Sequence, residues 1–338
     1  IITQNKEKTM LKPKQNSFRD EKALDGIWDF KTDPKNIGLN ENWKDGFITN
    51  SSIVVPSSWN DLDPELSDYI GVSWYQTSFY ISNLWDLKNI FLRFDSITYH
   101  STVWINGKLI GKNEGGHLPF EFNVDNIVKK GIVNKLVVRV ENELNPLRVP
   151  PGNVDTGSLS IFMNNIPSTN YDFFPYAGID RSVKLYMVPE FYINDIDVNT
   201  TIQKNSGFVT IEVMSNSNEP LEAFAELTGE DSSYKSEINK LNNKLSIKVD
   251  NPNLWSPTKP ALYNLNIQLL KEGNTVDSYD LDIGIRDIEA KNGQIFLNGE
   301  KIELKGFGRH EDSSLTGRGK NLPQTIKDHN LLKWIGAN

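Results

Sequence analysis

The densest set of side chains able to do chemistry is Arg309-His310-Glu311-Asp312, which follows Leu304-Lys305-Gly306-Phe307-Gly308 near the carboxyl-terminal end. A group that titrates near neutrality, two carboxylates and a guanidinium can bind a polar substrate or move protons around it. Glu311 and Asp312 are adjacent, and adjacent residues on a strand point to opposite faces, so they are poorly placed to converge on one bond. They are not assigned as a catalytic pair. His310 is the candidate contact, against the alternative of a structural histidine. A second candidate is Asp172, in Tyr171-Asp172-Phe173-Phe174-Pro175-Tyr176. An acidic residue amid four aromatics suits a contact to a sugar hydroxyl beside a stacking surface; bonding to backbone amides in a packed loop is the plainer alternative.

Other chemistries lack their residues. Of the four histidines, His100 and His117 fall among strands and His329 on a terminal helix. No pair has metal-ligand spacing such as HExxH, and the chain has no cysteine, so no bound metal, disulfide or cysteine nucleophile is expected. No GxSxG elbow, P-loop or GxGxxG fingerprint occurs, and Gly306-x-Gly308 is too short to count. No cofactor is expected.

With a net charge of −8 and no basic cluster, the 338-residue chain has no electrostatic footprint for nucleic acid. No apolar run approaches the roughly 18 residues needed to span a bilayer. The reading is a soluble protein of open localisation, cytoplasmic or periplasmic.

The elements that must position His310 come from a short hairpin. Gln294-Ile295-Phe296-Leu297 and Lys301-Ile302-Glu303-Leu304 flank Asn298-Gly299, the favoured pair for a two-residue turn. The polar cluster then sits at a strand's end, where barrel enzymes keep their chemistry. A helix is expected next: Asn321 can cap it, Pro323 suits its first turn, Leu322/Ile326 and Leu331/Ile335 fall four apart, and Gly336 stops it. Upstream, residues 1–23 read as a polar, lysine-rich arm. Short alternating runs from Leu24-Asp25-Gly26-Ile27-Trp28-Asp29-Phe30 to about Val188 predict an antiparallel jelly-roll sandwich over 1–189. The irregular stretch from about Asn142 to Arg181 is long for a compact domain and reads as a functional loop. Seven further runs, beginning at Phe191–Val198 and ending at Asp277–Ile285, predict an immunoglobulin-like sandwich over 190–290. Asn253-Leu254-Trp255-Ser256-Pro257 reads as a tryptophan-anchored turn on it. Residues 291–338 would begin a barrel. The fold class is therefore mostly β: two sandwiches, then the first strand-helix unit of a (β/α)8 TIM barrel.

Lys305-Gly306-Phe307-Gly308-Arg309-His310-Glu311-Asp312, with Gly317-Arg318-Gly319-Lys320 and Leu331-Leu332-Lys333-Trp334-Ile335-Gly336-Ala337-Asn338, closely resembles the first barrel unit of the β-glucuronidases of glycoside hydrolase family 2. Val55-Pro56-Ser57-Ser58-Trp59-Asn60-Asp61 and Val103-Trp104-Ile105-Asn106-Gly107 resemble the wider family, which includes galactosidases. Pro150-Pro151-Gly152-Asn153 and Asp172-Phe173-Phe174-Pro175-Tyr176-Ala177-Gly178-Ile179 resemble the glucuronidase branch. The resemblance implies the same order of jelly roll, immunoglobulin-like sandwich and TIM barrel. It implies that Asp172 and His310 bind substrate, a β-glucuronide or related carbohydrate conjugate, without a cofactor. It places both catalytic glutamates, and the Asn and Lys that recognise the uronate, on barrel segments after Asn338. No catalytic residue is then expected in these 338 residues, which would be part of a longer protein that needs its remaining barrel segment and forms a homo-oligomer. The alternatives are a non-catalytic carbohydrate-binding or assembly module and a galactosidase or galacturonidase relative.

Overall fold

A computed structural model describes residues 11–83, 85, 89–144, 147, 176–230, 232–240 and 244–338. The chain divides into two compact units. Of the described residues, the first gathers Glu21–Met187 with Arg309–His329; the second gathers residues 11–20, Val188–Gly308 and Asn330–Asn338.

The first unit is a sandwich of antiparallel sheets. One has six strands in the order Ser52–Val55, Gly26–Thr32, Val72–Tyr80, Val133–Glu141, His100–Ile105 and Lys108–Glu114. The other runs Asp20–Ala23, Val183–Val188, Asn89–Phe94 and Phe120–Asn123. The last four residues of the expected arm thus form an edge strand. Alternation decides what the strands bury: Trp28 and Phe30 turn inward while Ile27 and Asp29 stay exposed. Trp28, Phe30, Tyr75 and Phe79 meet Leu92, Phe94, Phe120 and Leu185 in one core. A fully buried side chain of this kind is worth roughly 1.5–3 kcal/mol. The outer face of the larger sheet carries a second cluster of Trp43, Phe47, Trp74 and Trp104, with Trp74 and Trp104 stacked at 5.4 Å. Asp33 ties the covering segment down, accepting from the backbone N–H of Gly38 at 2.9 Å and from Trp74 Nε1 at 3.0 Å. These tryptophans are packing residues.

The second unit contains the other sandwich. Ile193–Gln203, Ser206–Ser215 and Leu245–Asp250 form one sheet; Ser233–Lys235, Glu222–Thr228, Tyr263–Lys271 and Asn274–Ile283 form the other, with Asn239–Lys240 at its margin. Val209, Ile211, Leu245 and Ile247 pack against Ala225, Leu227, Leu265 and Ile267, so the core is built without a disulfide. The Trp255 turn is seated as expected: its backbone N–H donates to the Ile285 carbonyl at 2.9 Å, and the Arg286 guanidinium lies over its ring at 4.7 Å. The amino-terminal segment straps this sandwich. Lys14 donates to the Asp280 carbonyl at 2.6 Å, Asn16 to that of Ser278 at 2.8 Å, and Arg19 pairs with the fully buried Asp277 at 2.5 Å.

Ile288–Lys291, Gln294–Leu297 and Glu300–Ile302 make a three-stranded meander. Asn298 and Gly299 have φ of 53° and 82°, both left-handed, as a type I′ turn requires. Residues 303–312 form no ladder among the described residues. A barrel strand takes its hydrogen bonds from neighbours on both edges, and this one is fastened by Asn338, whose side chain accepts from the Lys305 N–H at 2.7 Å and donates to the Glu303 carbonyl at 2.9 Å. The helix Leu322–Trp334 forms where expected: Asn321 Oδ1 caps the Gln324 N–H at 3.2 Å, and Gly336, at φ 104°, closes the far end.

Candidate functional site

The residues after His310 fold into a tight loop because Ser313 and Gly317 exchange two backbone hydrogen bonds of 2.8 Å and Thr316 Oγ1 donates to the Gly319 carbonyl at 2.8 Å. The loop is seated on the sandwich segment Pro56–Asp61. Arg318 N–H donates to Asp61 Oδ2 at 2.9 Å, across 257 residues of sequence. Both flanking glycines are needed for this approach. A Cβ on Gly317 would lie 2.1 Å from the Asp61 Cβ, and one on Gly319 would lie 2.5 Å from the Pro56 carbonyl oxygen. The Lys320 N–H donates to the Asp180 carbonyl at 3.0 Å.

The same sandwich segment also fixes the chain just past Asp172. Ser57 N–H donates to the Ile179 carbonyl at 2.8 Å, Trp59 N–H to that of Ala177 at 3.0 Å, and Ala177 N–H to Asn60 Oδ1 at 3.0 Å. Gly178 sits so close that a Cβ there would lie 2.5 Å from the Ser57 carbonyl. Val55–Asp61 is therefore a common base for the loop after His310 and for the flank of the aromatic loop.

Within the polar cluster, three members are engaged. Arg309 bonds Asp328 on the helix through Nε and a terminal nitrogen, at 3.1 and 2.8 Å. Glu311 lies 3.6 Å from Arg309 and 3.7 Å from Arg181, and Asp312 lies 3.2 Å from Arg318. The two carboxylates go to different cations. His310 is exposed, and its ring makes no hydrogen bond among the described residues, which leaves both nitrogens open to an incoming group. Asp172, with Arg148–Asn153, lies outside the described residues.

Asp61, Asp180, Tyr176 and Arg318 were not singled out by sequence reasoning. The one available signal was that Ser57–Asp61, Tyr176 and Gly317–Lys320 all fell inside stretches carrying the family resemblance. Burial is the largest influence on Asp61 and raises its carboxyl, against the lowering effect of the Arg318 N–H. Burial likewise raises Asp180 above the usual 3.8, while the Ser96 hydroxyl, His117 and Arg181 pull it back. The folded chain then holds this proton longer than the unfolded chain does. Asp180's favourable contribution is fully present below pH 3.8 and lost as pH rises through the folded value. Thermal melts of the full-length protein from pH of about 4 to 7 should therefore show Asp180→Asn gaining on the unsubstituted protein as pH rises. A gap that stays constant would contradict this account.

No helix among the described residues is long and apolar enough to cross a membrane, and no group of three or more potential metal-ligating side chains gathers among them.

Comparison with known proteins adds three family matches in chain order. Residues 21–189 match the sugar binding domain of glycosyl hydrolases family 2, residues 191–286 match glycosyl hydrolases family 2, and residues 288–338 match the family's TIM barrel domain. The chain belongs to glycosyl hydrolase family 2. Its architecture is accordingly two β-sandwiches followed by a stretch of the family's TIM barrel domain. A β-glucuronidase of Paenibacillus borealis is 36% identical over 97% of this chain, and one of Mus musculus 34% identical over 97%. The chain spans 56% and 54% of those two proteins, about half their length. Among solved structures, Ruminococcus gnavus β-glucuronidase superposes with a TM-score of 0.89 at 34% identity, over 98% of this chain and 56% of that one. The Lactobacillus rhamnosus β-glucuronidase gives 0.88 at 35% identity, over 97% and 55%.

Proposed function

We propose that the full-length protein is a retaining β-glucuronidase, releasing glucuronate from β-glucuronides. The observation that carries this reading is the likeness to β-glucuronidases along 97% of the chain, through both sandwiches and into the barrel domain. One such relative, from Ruminococcus gnavus, has been solved in complex with D-glucuronic acid. In this reading one barrel glutamic acid protonates the leaving oxygen and the other carboxylate attacks the anomeric carbon; water then hydrolyses the glycosyl-enzyme. Both carboxylates come from barrel strands beyond residue 338, as does the uronate-recognising pair. The described residues supply the frame, and His310 and Asp172 supply contacts to sugar hydroxyls. The full-length enzyme is also proposed to be a homo-oligomer, which its solution mass would test.

Hydrolysis of a chromogenic β-glucuronide should exceed that of the matching β-galactoside by orders of magnitude. A preference for galactoside would replace glucuronide with another substrate of the family; cleavage of neither, with sugar binding retained, would make the protein a carbohydrate-binding module. Hydrogen bonds to charged groups contribute roughly 1.5–3 kcal/mol, so His310→Ala and Asp172→Asn should each lower kcat/KM by about 10- to 100-fold. An effect under twofold for either would remove that residue from the substrate site.

A further inference from the structure

The first unit holds a cavity of about 240 Å³ whose described lining does not include His310. Its buried polar residues are Asp180, Ser58 and Thr98, its walls include Tyr99 and Tyr176, and His117 and Arg318 complete the described lining. Asp180 is 7% exposed, and its Oδ1 has no hydrogen-bond partner among the described residues. Ser58 is 1% exposed, and its hydroxyl faces Asp61 without completing a hydrogen bond to it. Buried polar groups in folded proteins are almost always hydrogen-bonded, so two such atoms beside one cavity call for a partner inside it.

We propose that this cavity binds one neutral hydroxylated ring, a single monosaccharide. Size sets the first limit. Drug-sized ligands occupy pockets of roughly 300–1,000 Å³, whereas one water takes about 30 Å³, so the space suits one ring rather than an oligosaccharide or a lone water. Charge sets the second. Asp180 disfavours an anion, and the Arg318 cation is already 3.2 Å from Asp312 and stacked at 4.3 Å on the Tyr176 ring, leaving it committed to other partners. That same cation disfavours a cationic ligand. What remains is a neutral molecule with hydroxyl donors for Asp180 Oδ1, a hydroxyl partner for Ser58, and C–H faces for the tyrosines. The position fits a built site. Arg318 enters from the barrel-domain loop held by Asp61, so a wall of the cavity exists only once that loop has docked.

The test is titration of the full-length protein with glucose, galactose and mannose, followed by saturation-transfer NMR. At least one neutral hexose should bind saturably in the millimolar range, and its Kd should rise at least tenfold in both Asp180→Asn and Ser58→Ala. In His310→Ala it should stay within twofold. Asp180→Asn is nearly isosteric and removes a buried charge, and Ser58→Ala removes one oxygen, so a folding failure in one leaves the other decisive. Absence of saturable hexose binding in the unsubstituted protein would mean that the cavity holds water only and would overturn the proposal. So would binding that both substitutions leave unchanged, or binding lost only in His310→Ala.

Discussion

Asp277→Ala is expected to destabilise the second unit by about 3–5 kcal/mol, the usual result of leaving a buried charge without its partner. Asp277 is fully buried and does three things at once. Its Oδ1 accepts from Arg19 Nε at 2.9 Å; its Oδ2 accepts from a terminal Arg19 nitrogen at 2.5 Å and from the Ile193 N–H at 2.8 Å. Arg19 also donates to the Ile193 carbonyl and lies over the Tyr279 ring at 5.2 Å. Removing the carboxylate strands the Arg19 guanidinium, 5% exposed, and one backbone donor together. Replacing both partners, as in Arg19→Met with Asp277→Leu, should cost less than the single change, because no charge is then stranded. The unit is one of two in the chain, so the measurement should be local: hydrogen exchange in Ile193–Gln203 and Asn274–Ile283 on the full-length protein. A loss below about 1 kcal/mol would mean that water replaces the pair at little cost.

The second large effect should come from Gly317→Ala. Gly317 has φ of +57°, and its missing Cβ is what lets Asp61 approach. A left-handed non-glycine residue costs roughly 1–2 kcal/mol and overpacking typically 1–3 kcal/mol, so about 2–5 kcal/mol should go against the docked loop. The chain can avoid that cost by releasing residues 313–320 from the sandwich. Trypsin should then cut after Arg318 or Lys320 much faster than in the unsubstituted protein, while thermal stability of the sandwiches changes little. On the proposed function, glucuronide turnover should fall as well, since the loop follows directly on His310. Unaltered proteolysis would show that Asp61 yields instead.

Much of the fold was legible because it is local. Leu24–Phe30 reads as a strand from its alternation alone, and it buries Trp28 and Phe30 while exposing Ile27. Asn298-Gly299 demands left-handed backbone at both positions and obtains it. Asn321 and Gly336 bound a helix through hydrogen bonds to residues only a few places away. The stretch after Ile302 reads as a barrel strand and matches the barrel domain, but residues 303–312 make no ladder among the described residues, because a strand is completed by neighbours and not by its own sequence.

His310 and the chemistry of its cluster were visible as residue types in a row, but what the neighbours do was not. Whether Glu311 and Asp312 converge or diverge depended on Arg181 and Arg318 reaching them. The Asp61 contact to Arg318 spans 257 residues and the Arg19 pair with Asp277 spans 258. Pairings at such separation leave no local period, since each partner alone looks like a surface charge. The cavity beside Asp180 belongs to the same class, its lining drawn from segments around residues 58, 99, 117, 176 and 318. By itself, then, the sequence determined the strands, turns and helix and carried the family resemblance, because propensity, alternation and motif are properties of neighbouring residues. The tertiary structure alone decided which charges are buried, which loop rests on which strand and where space is left, because those follow from packing distant segments together.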